Sequence, residues 1–122
     1  MPDPLPNLEI ESVHGDDAYV IRVQGELDLA SCPKLDFALM DAEESRASRI
    51  VLDLEELMFI DSSGLEALLR ASRRSASNGT RLQITRGKGY PAEMFRLTAL
   101  DQTLPLTDPS LCPAIAGSSY SS

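Results

Sequence analysis

The fold is decided by residues 49–69, which read RIVLDLEELMFIDSSGLEALL. The first six, RIVLDL, form a compact run of leucine and β-branched side chains, typical of a central parallel strand that is buried on both faces. The last part places leucines at the spacing of one buried helical stripe, so we expect a helix over residues 62–77. Asn78-Gly79 would end that helix in a left-handed cap. A strand that passes directly into a helix indicates an α/β layer structure.

Two alternating segments before this stretch predict an N-terminal β-hairpin. LEIESV and AYVIRVQG alternate apolar and polar residues, and the intervening HGDD has the composition of a turn, so the strands should cover residues 8–13 and 18–24. A helix should follow, with Ser31 able to cap it and Pro33 suited to its first turn. The residues of its buried face would be Leu35, Ala38, Leu39 and Ala42.

The segments after residue 79 complete the predicted sheet. RLQIT indicates another strand, the turn RGKGYP leads into a helix within AEMFRLTAL, and TLPL indicates a short closing strand. In that helix Met94, Leu97 and Phe95 are the candidates for packing inward. Strands separated by helices imply parallel pairs joined by right-handed crossovers. We therefore expect a mixed, mostly parallel sheet of about five strands, with helices packed on it and the hairpin at its antiparallel edge.

The chain is expected to form one domain, since 122 residues can bury roughly two thirds of their unfolded surface in a single core. Three prolines in the first six residues predict a loose arm over residues 1–7, and the domain itself should span residues 8–108. The segment 109–122 contains Pro109 and Pro113 and ends AGSSYSS, so we expect it to be poorly ordered.

Charge and composition exclude several classes of partner. Nineteen acids against eleven Lys and Arg give a net charge of -8, which repels phosphates, so neither nucleic acid nor a membrane is an expected partner. The two cysteines, Cys32 and Cys112, lie far apart without Cys-x-x-Cys spacing, which argues against a zinc site and indicates reduced thiols. Because the sequence shows no secretion leader and no apolar run of ~20 residues, a cytoplasmic location is expected.

The acid, two serines and glycine of DSSG lie where the predicted central strand passes into the predicted helix. There the carboxylate of Asp61 can accept hydrogen bonds from the N–H groups of Ser63 and Gly64, as an N-cap worth ~1 kcal/mol. On the residue pattern alone, most such runs are only caps. The ends of the second and third strands, Gly25 to Asp28 and Asp61 to Gly64, should nevertheless meet at one rim of the sheet, where α/β proteins usually place their sites.

Catalytic and nucleotide-binding interpretations fail on the residues present. A nucleophile elbow needs Gly-x-Ser-x-Gly, whereas Ile60 lies two positions before Ser62 and the single histidine, His14, lies in the distant hairpin turn. A phosphoacceptor role for Asp61 would need a cluster of further acids near the end of the first strand to hold magnesium and a lysine at a later strand end, whereas the acids of HGDD should lie at the opposite rim. The GKG at residues 87–89 lacks the other residues of a P-loop and is only a weak signal for anion binding. We expect no catalytic residue, no cofactor and no metal ion.

Ser62 remains as a hydroxyl displayed at the positive end of a helix beside a fixed acid, and such a serine is a candidate kinase substrate. Phosphorylation would add ~1.5 to 2 negative charges at a rim that already holds Asp61 and Glu66 and, by the predicted topology, Glu26 and Asp28. The helix dipole favours a phosphate there by ~0.3–1 kcal/mol, so the fold should survive. A docked protein would meet desolvation and like-charge repulsion. These residues therefore suit a binding switch.

Three segments, GELDLASCPKLDFAL, IVLDLEELMFIDSSGLEALL and YPAEMFRLTALDQTLPL, resemble in their order and spacing the bacterial anti-sigma factor antagonists of the STAS domain family. The resemblance covers residues 8–108 and implies protein binding without catalysis. It implies that Ser62, the first serine of the Asp-Ser-Ser motif, is phosphorylated by an anti-sigma factor that is itself an ATP-dependent serine kinase. The unmodified form would bind that anti-sigma factor and free a sigma factor. Phosphorylation would release the partner, and a serine phosphatase would reset the switch.

The same resemblance assigns a partner-binding surface. Asp61 would position Ser62, while Glu26 and Asp28 would shape the neighbouring loop. The predicted partner-binding residues are Asp61, Ser62, Ser63, Gly64, Glu66, Glu26 and Asp28. Glu66 departs from the family, which often has a small or neutral residue there, and this leaves the identity of the partner open. The alternative is a non-switching STAS scaffold or accessory subunit, in a sensor complex or in a transporter or lipid-trafficking system.

Overall fold

The structure is a computed structural model that describes residues 7–15 and 18–109. These residues form strands and helices that alternate after an initial hairpin, in the predicted order. The elements are β1 (Leu8–His14), β2 (Ala18–Leu27), α1 (Cys32–Glu44), β3 (Arg49–Ile60), α2 (Ser62–Asn78), β4 (Arg81–Thr85), α3 (Gly89–Leu97), a 3-10 turn (Leu100–Gln102) and β5 (Leu106–Thr107).

The strands of the described residues form one sheet in the order β1-β2-β3-β4-β5. β1 pairs with β2 antiparallel, and each later pair is parallel. Helices α1, α2 and α3 connect consecutive parallel strands. The prediction of a mixed, mostly parallel α/β sheet with an N-terminal hairpin is confirmed. The topology places the carboxyl ends of β2 and β3 side by side, because the two strands are parallel neighbours.

The main core combines one face of the sheet with helices α1 and α2. Residues 50–54 of β3 are all buried, in agreement with the central position predicted for RIVLDL. The helix residues in this core include Leu35, Leu39 and Ala42 of α1 and Leu65, Leu68 and Ala71 of α2. Burial of one leucine side chain contributes about 1.5–3 kcal/mol, so the two apolar stripes hold both helices against the sheet.

β3 is longer than the RIVLDL pattern predicts, because it continues through EELMFI to Ile60. On one side this extension still pairs with β2, where Glu26 lies opposite Phe59 and Leu27 opposite Ile60. On the other side β4 has ended, and the loop after it supplies the hydrogen-bonding groups. The Leu54 N–H donates to Thr85 Oγ1 at 2.8 Å, and the Gly87 N–H donates to a Glu55 carboxylate oxygen at 3.0 Å. The extension therefore projects beyond β4 without leaving this edge uncovered.

Two predicted side-chain roles and one strand boundary are wrong. Ser31 occupies the N-cap position of α1, but its hydroxyl makes no cap bond and donates instead to the Glu26 carbonyl oxygen at 2.8 Å. Leu97 is 63% exposed at the end of α3, where Phe95 provides the buried contact. The closing strand begins only at Leu106, after the TLP that was predicted to belong to it. The left-handed cap of α2 at Gly79 is confirmed.

The expectations for the arm 1–7 and the tail 109–122 concern residues that, except for Asn7 and Pro109, lie outside the described part of the chain, as does Cys112. The carbonyl oxygen of Asn7 accepts a hydrogen bond from the Glu26 N–H at 2.8 Å, so this residue is held against the end of β2. Within residues 7–15 and 18–109, no helix has the length and apolar character needed to cross a bilayer.

Candidate functional site

Asp61 begins α2 directly after β3. Its backbone is extended (φ -110°, ψ -172°), and its Oδ1 accepts a hydrogen bond from the Gly64 N–H at 3.1 Å. Its carbonyl oxygen accepts the first helical bond, from the Leu65 N–H at 3.0 Å. The predicted N-cap is confirmed for Gly64, and within the described residues the cap bond comes from Gly64 and not from Ser63. An aspartate cap also places a fixed negative charge at the positive end of the helix.

Gly64 is required by packing and not only by the cap. A Cβ atom at this position would lie 2.7 Å from Ile60 Cγ1, 2.8 Å from the Leu27 carbonyl oxygen and 2.9 Å from Leu27 Cγ. Real Cβ atoms essentially never approach heavy atoms closer than 3.0 Å. The first turn of α2 therefore rests against the end of β2, and only glycine allows this contact.

Ser62 is the first residue of α2 and is exposed to solvent. Ser63 is half-buried and Gly64 is buried, so the two serines of DSSG differ in access although they are adjacent. Glu66 is exposed and follows Ser62 by four residues, which is the helical spacing that places two side chains on one face. Ser62 therefore carries the hydroxyl of this motif that another protein can reach, and the exposed side chain of Glu66 lies on the same face of the helix.

The ends of β2 and β3 are joined as the topology predicts. The Asp61 N–H donates to the Leu27 carbonyl oxygen at 3.2 Å, which fixes DSSG beside the loop that follows β2. In that loop the Ser31 N–H donates to Asp28 Oδ1 at 3.0 Å and the Cys32 N–H donates to the Asp28 carbonyl oxygen at 2.9 Å. Asp28 therefore holds its own loop in shape.

The structure brings all seven predicted partner-binding residues to one rim of the sheet. Glu26 and Asp28 are half-buried, whereas Ser62 and Glu66 are exposed. Glu66 precedes Arg70 by the four residues of a helical ion pair, but Arg70 Nη2 lies 3.8 Å from Asp36 Oδ2 on α1. Arg70 thereby links α2 to α1.

The acids of this rim also act on Cys32, which is buried at the start of α1. Burial and, after it, the nearby carboxylates of Asp36, Asp61 and Asp28 raise the pKa of the Cys32 thiol to about 11, against the opposing charge of Arg70. A thiol with this pKa stays protonated at neutral pH and is a poor nucleophile. Cys32 is therefore a packing residue, and it is a free thiol in the described part of the chain.

The sequence-based site omits a group of exposed apolar side chains at the same end of the sheet. Leu29 is 75% exposed in the loop after β2, and Met58 is 74% exposed near the end of β3. Phe59 and Tyr90 stack on each other with ring centroids 5.3 Å apart and planes inclined by 4°, and they remain 37% and 46% exposed. The sequence does contain a signal for this group. Met58 and Phe59, just before IDSSG, are adjacent apolar residues, whereas an amphipathic strand alternates apolar and polar residues.

The residues behind the alternative interpretations lie at opposite ends of the sheet. His14 ends β1 and packs against Tyr19 with ring centroids 5.0 Å apart and planes inclined by 36°, at the hairpin end of the sheet. The GKG turn has Gly87 and Gly89 at positive φ (75° and 55°), and through the bond from Gly87 to Glu55 it covers the extended part of β3. The described residues contain no cluster of His, Cys, Asp and Glu that could hold a metal ion.

The sequence profile of the STAS domain matches residues 9–111. The chain belongs to the STAS domain family. The anti-sigma-B factor antagonist of Staphylococcus aureus strain NCTC 8325 is 29% identical to this STAS domain over 94 residues, which cover 77% of the chain and 87% of that relative. A crystal structure of an anti-sigma factor antagonist from Mycobacterium paratuberculosis superposes with a TM-score of 0.75 at 26% identity, covering 92% of this chain and 95% of that one.

The same fold occurs in the Bacillus cell fate determinant SpoIIAA in its phosphorylated form. The TM-score is 0.67 at 22% identity, and the match covers 89% of this STAS domain and 98% of SpoIIAA. At this identity the likeness concerns the fold alone. The predicted membership of the family is confirmed by the match of the STAS profile to most of the chain.

Proposed function

We propose that this STAS domain is an anti-sigma factor antagonist and that its binding to the anti-sigma factor is switched by phosphorylation of Ser62. The observation that supports this most is the position of Ser62, exposed at the first turn of α2 beside the fixed carboxylate of Asp61. The names of the Staphylococcus aureus and Mycobacterium paratuberculosis relatives support the general function. SpoIIAA, which shares the fold, exists in a phosphorylated form, so a domain of this fold can carry the modification.

The unmodified domain binds an anti-sigma factor that has serine kinase activity, and a sigma factor is thereby freed. The kinase then transfers the γ-phosphoryl group of ATP to Ser62. A bond forms between Ser62 Oγ and phosphorus, the bond from phosphorus to the leaving oxygen of ADP breaks, and the hydroxyl proton passes to a base of the kinase or to water. A serine phosphatase hydrolyses the ester and restores the hydroxyl. The domain itself contributes no catalytic group and acts as a cytoplasmic binding protein.

The charges around Ser62 explain why the phosphate would oppose docking. A phosphoserine adds about 1.5 to 2 negative charges at neutral pH, and it would stand between Asp61 and Glu66 on the same helix. In a closed interface these groups lose water and repel one another, which weakens the complex. In the free domain the N–H groups of the first turn and the helix dipole accommodate the phosphate. The modification therefore changes binding much more than folding.

The test is to incubate the purified domain with each anti-sigma factor kinase of its source organism and Mg-ATP, and to locate added phosphate by mass spectrometry. We expect one phosphate, on Ser62, which is absent from Ser62→Ala. Ser77→Ala is the matched control, since Ser77 is exposed near the other end of α2 and its substitution should leave the modification unchanged. A domain that binds such a kinase but is never modified would contradict the switch and favour the non-switching STAS scaffold.

A further inference from the structure

The stacked rings of Phe59 and Tyr90 form an aromatic pair that the proposed switch does not use. Phe59 comes from the end of β3 and Tyr90 from the first turn of α3, so the two rings join elements that are distant in sequence. Each ring keeps more than a third of its surface in solvent. Exposed, rigid aromatic side chains of this kind are enriched among the residues that dominate the binding energy of protein interfaces.

The aromatic pair is supported by the loop between β4 and α3. The Gly87 N–H donates to the Glu55 carboxylate at 3.0 Å, which ties this loop to the extended part of β3. Gly87 and Gly89 have φ of 75° and 55°, and these conformations turn the chain so that Tyr90 meets Phe59. The GKG turn thus places an aromatic ring at the surface and needs no bound anion to account for it.

The aromatic pair lies close to Ser62. Phe59 precedes Ser62 by three residues, so their Cα atoms are at most about 11 Å apart. Glu26 lies opposite Phe59 in the register of β2 and β3, which puts a predicted interface residue beside the ring. A standard interface covers about 800 Å² on each partner, a patch much wider than this separation. A protein that covers Ser62 would therefore also cover the aromatic pair.

The charges on the two sides of the aromatic pair have opposite signs. On the side of β2 and α2 lie the carboxylates of Glu26, Asp61 and Glu66, and on the side of the β4–α3 loop lie the exposed side chains of Arg86 and Lys88. A partner surface is complementary to this loop if its acidic groups face Arg86 and Lys88. The aromatic pair thus stands at a boundary between charges, and the cations of the loop favour one orientation of the partner.

We propose that Phe59 and Tyr90 are the apolar anchor for the anti-sigma factor, and that the partner presents an apolar pocket with an acidic side towards Lys88. This inference rests on the proposed function and adds to it the chemistry and orientation of the bound partner. Ser62 acts as the switch at the edge of the contact, while the aromatic pair supplies the affinity that the phosphate overcomes.

The test measures the dissociation constant for each anti-sigma factor kinase of the source organism by calorimetry, with a non-hydrolysable ATP analogue so that Ser62 stays unmodified. We expect Phe59→Ala and Tyr90→Ala each to weaken binding by at least about tenfold. Tyr90→Phe keeps the ring and should stay within about twofold of the wild type, because stacking needs no hydroxyl. Leu97→Ala, at the exposed end of the same helix, is the control and should also bind normally.

Two charge reversals test the orientation. Lys88→Glu should weaken binding, whereas Arg81→Glu, which makes the same change of charge at the exposed start of β4, should bind as the wild type does. Lys88 precedes the first turn of α3, where an acid favours the helix, so a loss of binding in Lys88→Glu does not come from unfolding. If the partner only sensed net charge, the two variants would lose affinity equally, and the orientation would be refuted.

The outcomes separate this inference from the proposed function. If Phe59→Ala and Tyr90→Ala bind as the wild type does while Ser62→Asp does not bind, the aromatic anchor is overturned and the switch stands. If the wild-type domain neither binds nor is phosphorylated by any of these kinases, the proposed function is overturned and the anchor with it. Thermal melts of all variants, expected to match the wild type closely, confirm that each measurement concerns a folded domain.

Discussion

The backbone N–H of Asp61 donates a hydrogen bond to the carbonyl oxygen of Leu27 at 3.2 Å. This bond joins the end of β3 to the end of β2 immediately before α2 begins. The same carbonyl oxygen would lie 2.8 Å from a Cβ atom on Gly64. One peptide group of β2 therefore both anchors the N-cap of α2 and limits the size of the third residue of the helix.

Gly64→Ala should destabilise the domain by about 1–3 kcal/mol, because the added methyl group overlaps Ile60 and Leu27. Intrinsic helix propensity alone predicts the reverse, a gain of up to about 1 kcal/mol. Urea denaturation of the variant beside wild type decides between the two effects. Ser63→Ala, one position earlier, is the control and should change the stability by much less. A more stable Gly64→Ala variant would show that α2 can move away from β2.

Asp61→Ala should cost about 1 kcal/mol, since it removes the acceptor for the Gly64 N–H. Asp61→Ser keeps a side-chain oxygen at the cap without the charge, and we expect it to recover most of that loss. Thermal or urea unfolding of both variants measures the difference. Equal losses in the two variants would mean that the charge of Asp61, and not its hydrogen bond, stabilises the helix.

Ser62→Asp should leave the free energy of unfolding within about 0.5 kcal/mol of wild type, because an acid at the first turn of a helix is tolerated or favoured. It should nevertheless weaken binding to the anti-sigma factor by at least about tenfold. Ser77→Asp adds the same charge at an exposed position near the other end of α2 and should bind normally. An equally tight complex with Ser62→Asp would contradict the electrostatic explanation of the switch.

Thr85→Val should destabilise the domain by about 1–3 kcal/mol although it keeps the shape and the burial of the side chain. The Thr85 hydroxyl accepts the Leu54 N–H at 2.8 Å, and valine would leave this buried donor unsatisfied. Thr85→Ser retains the oxygen and should lose less. Denaturation curves that place both variants at the same stability would indicate that the edge of β3 finds another acceptor.

The stability of the wild type should fall between pH 9 and 11 by more than that of Cys32→Ala. The pKa of the Cys32 thiol is raised from 9.0 to about 11, so in this window the unfolded chain loses a proton that the folded chain retains. Below pH 9 both states hold the proton and the full contribution remains; it is lost as the pH rises to 11. We expect the difference between the two proteins to shrink by about 1–3 kcal/mol, measured by urea unfolding at pH 8 and pH 11.

The sequence was sufficient for the fold and for the position of the DSSG motif because the relevant signals are local. RIVLDL indicates a buried strand without reference to the rest of the chain, and DSSG contains both a cap and a residue small enough for close packing. The meeting of Asp28 and Asp61 at one rim follows from the parallel order of their strands. These predictions depend on the pattern and topology, and the structure agrees with them.

The misses depend on contacts that the local sequence pattern does not show. EELMFI has no alternation, so β3 continues to Ile60 only because β2 and the loop after β4 supply partners. The Ser31 hydroxyl turns from its own helix to the Glu26 carbonyl because that loop needs a buried donor. The stacking of Phe59 on Tyr90 brings together residues that are 31 positions apart in the printed sequence. No local pattern could have predicted that these two rings meet.

The close contact of Gly64 with Leu27 leaves the start of α2 little room to shift when a group is added to the neighbouring residue. Phosphorylation of Ser62 would accordingly change the charge of the surface and not the conformation of α2. The modified state would last until the phosphoester bond is hydrolysed, and no refolding step would limit the rate of its removal.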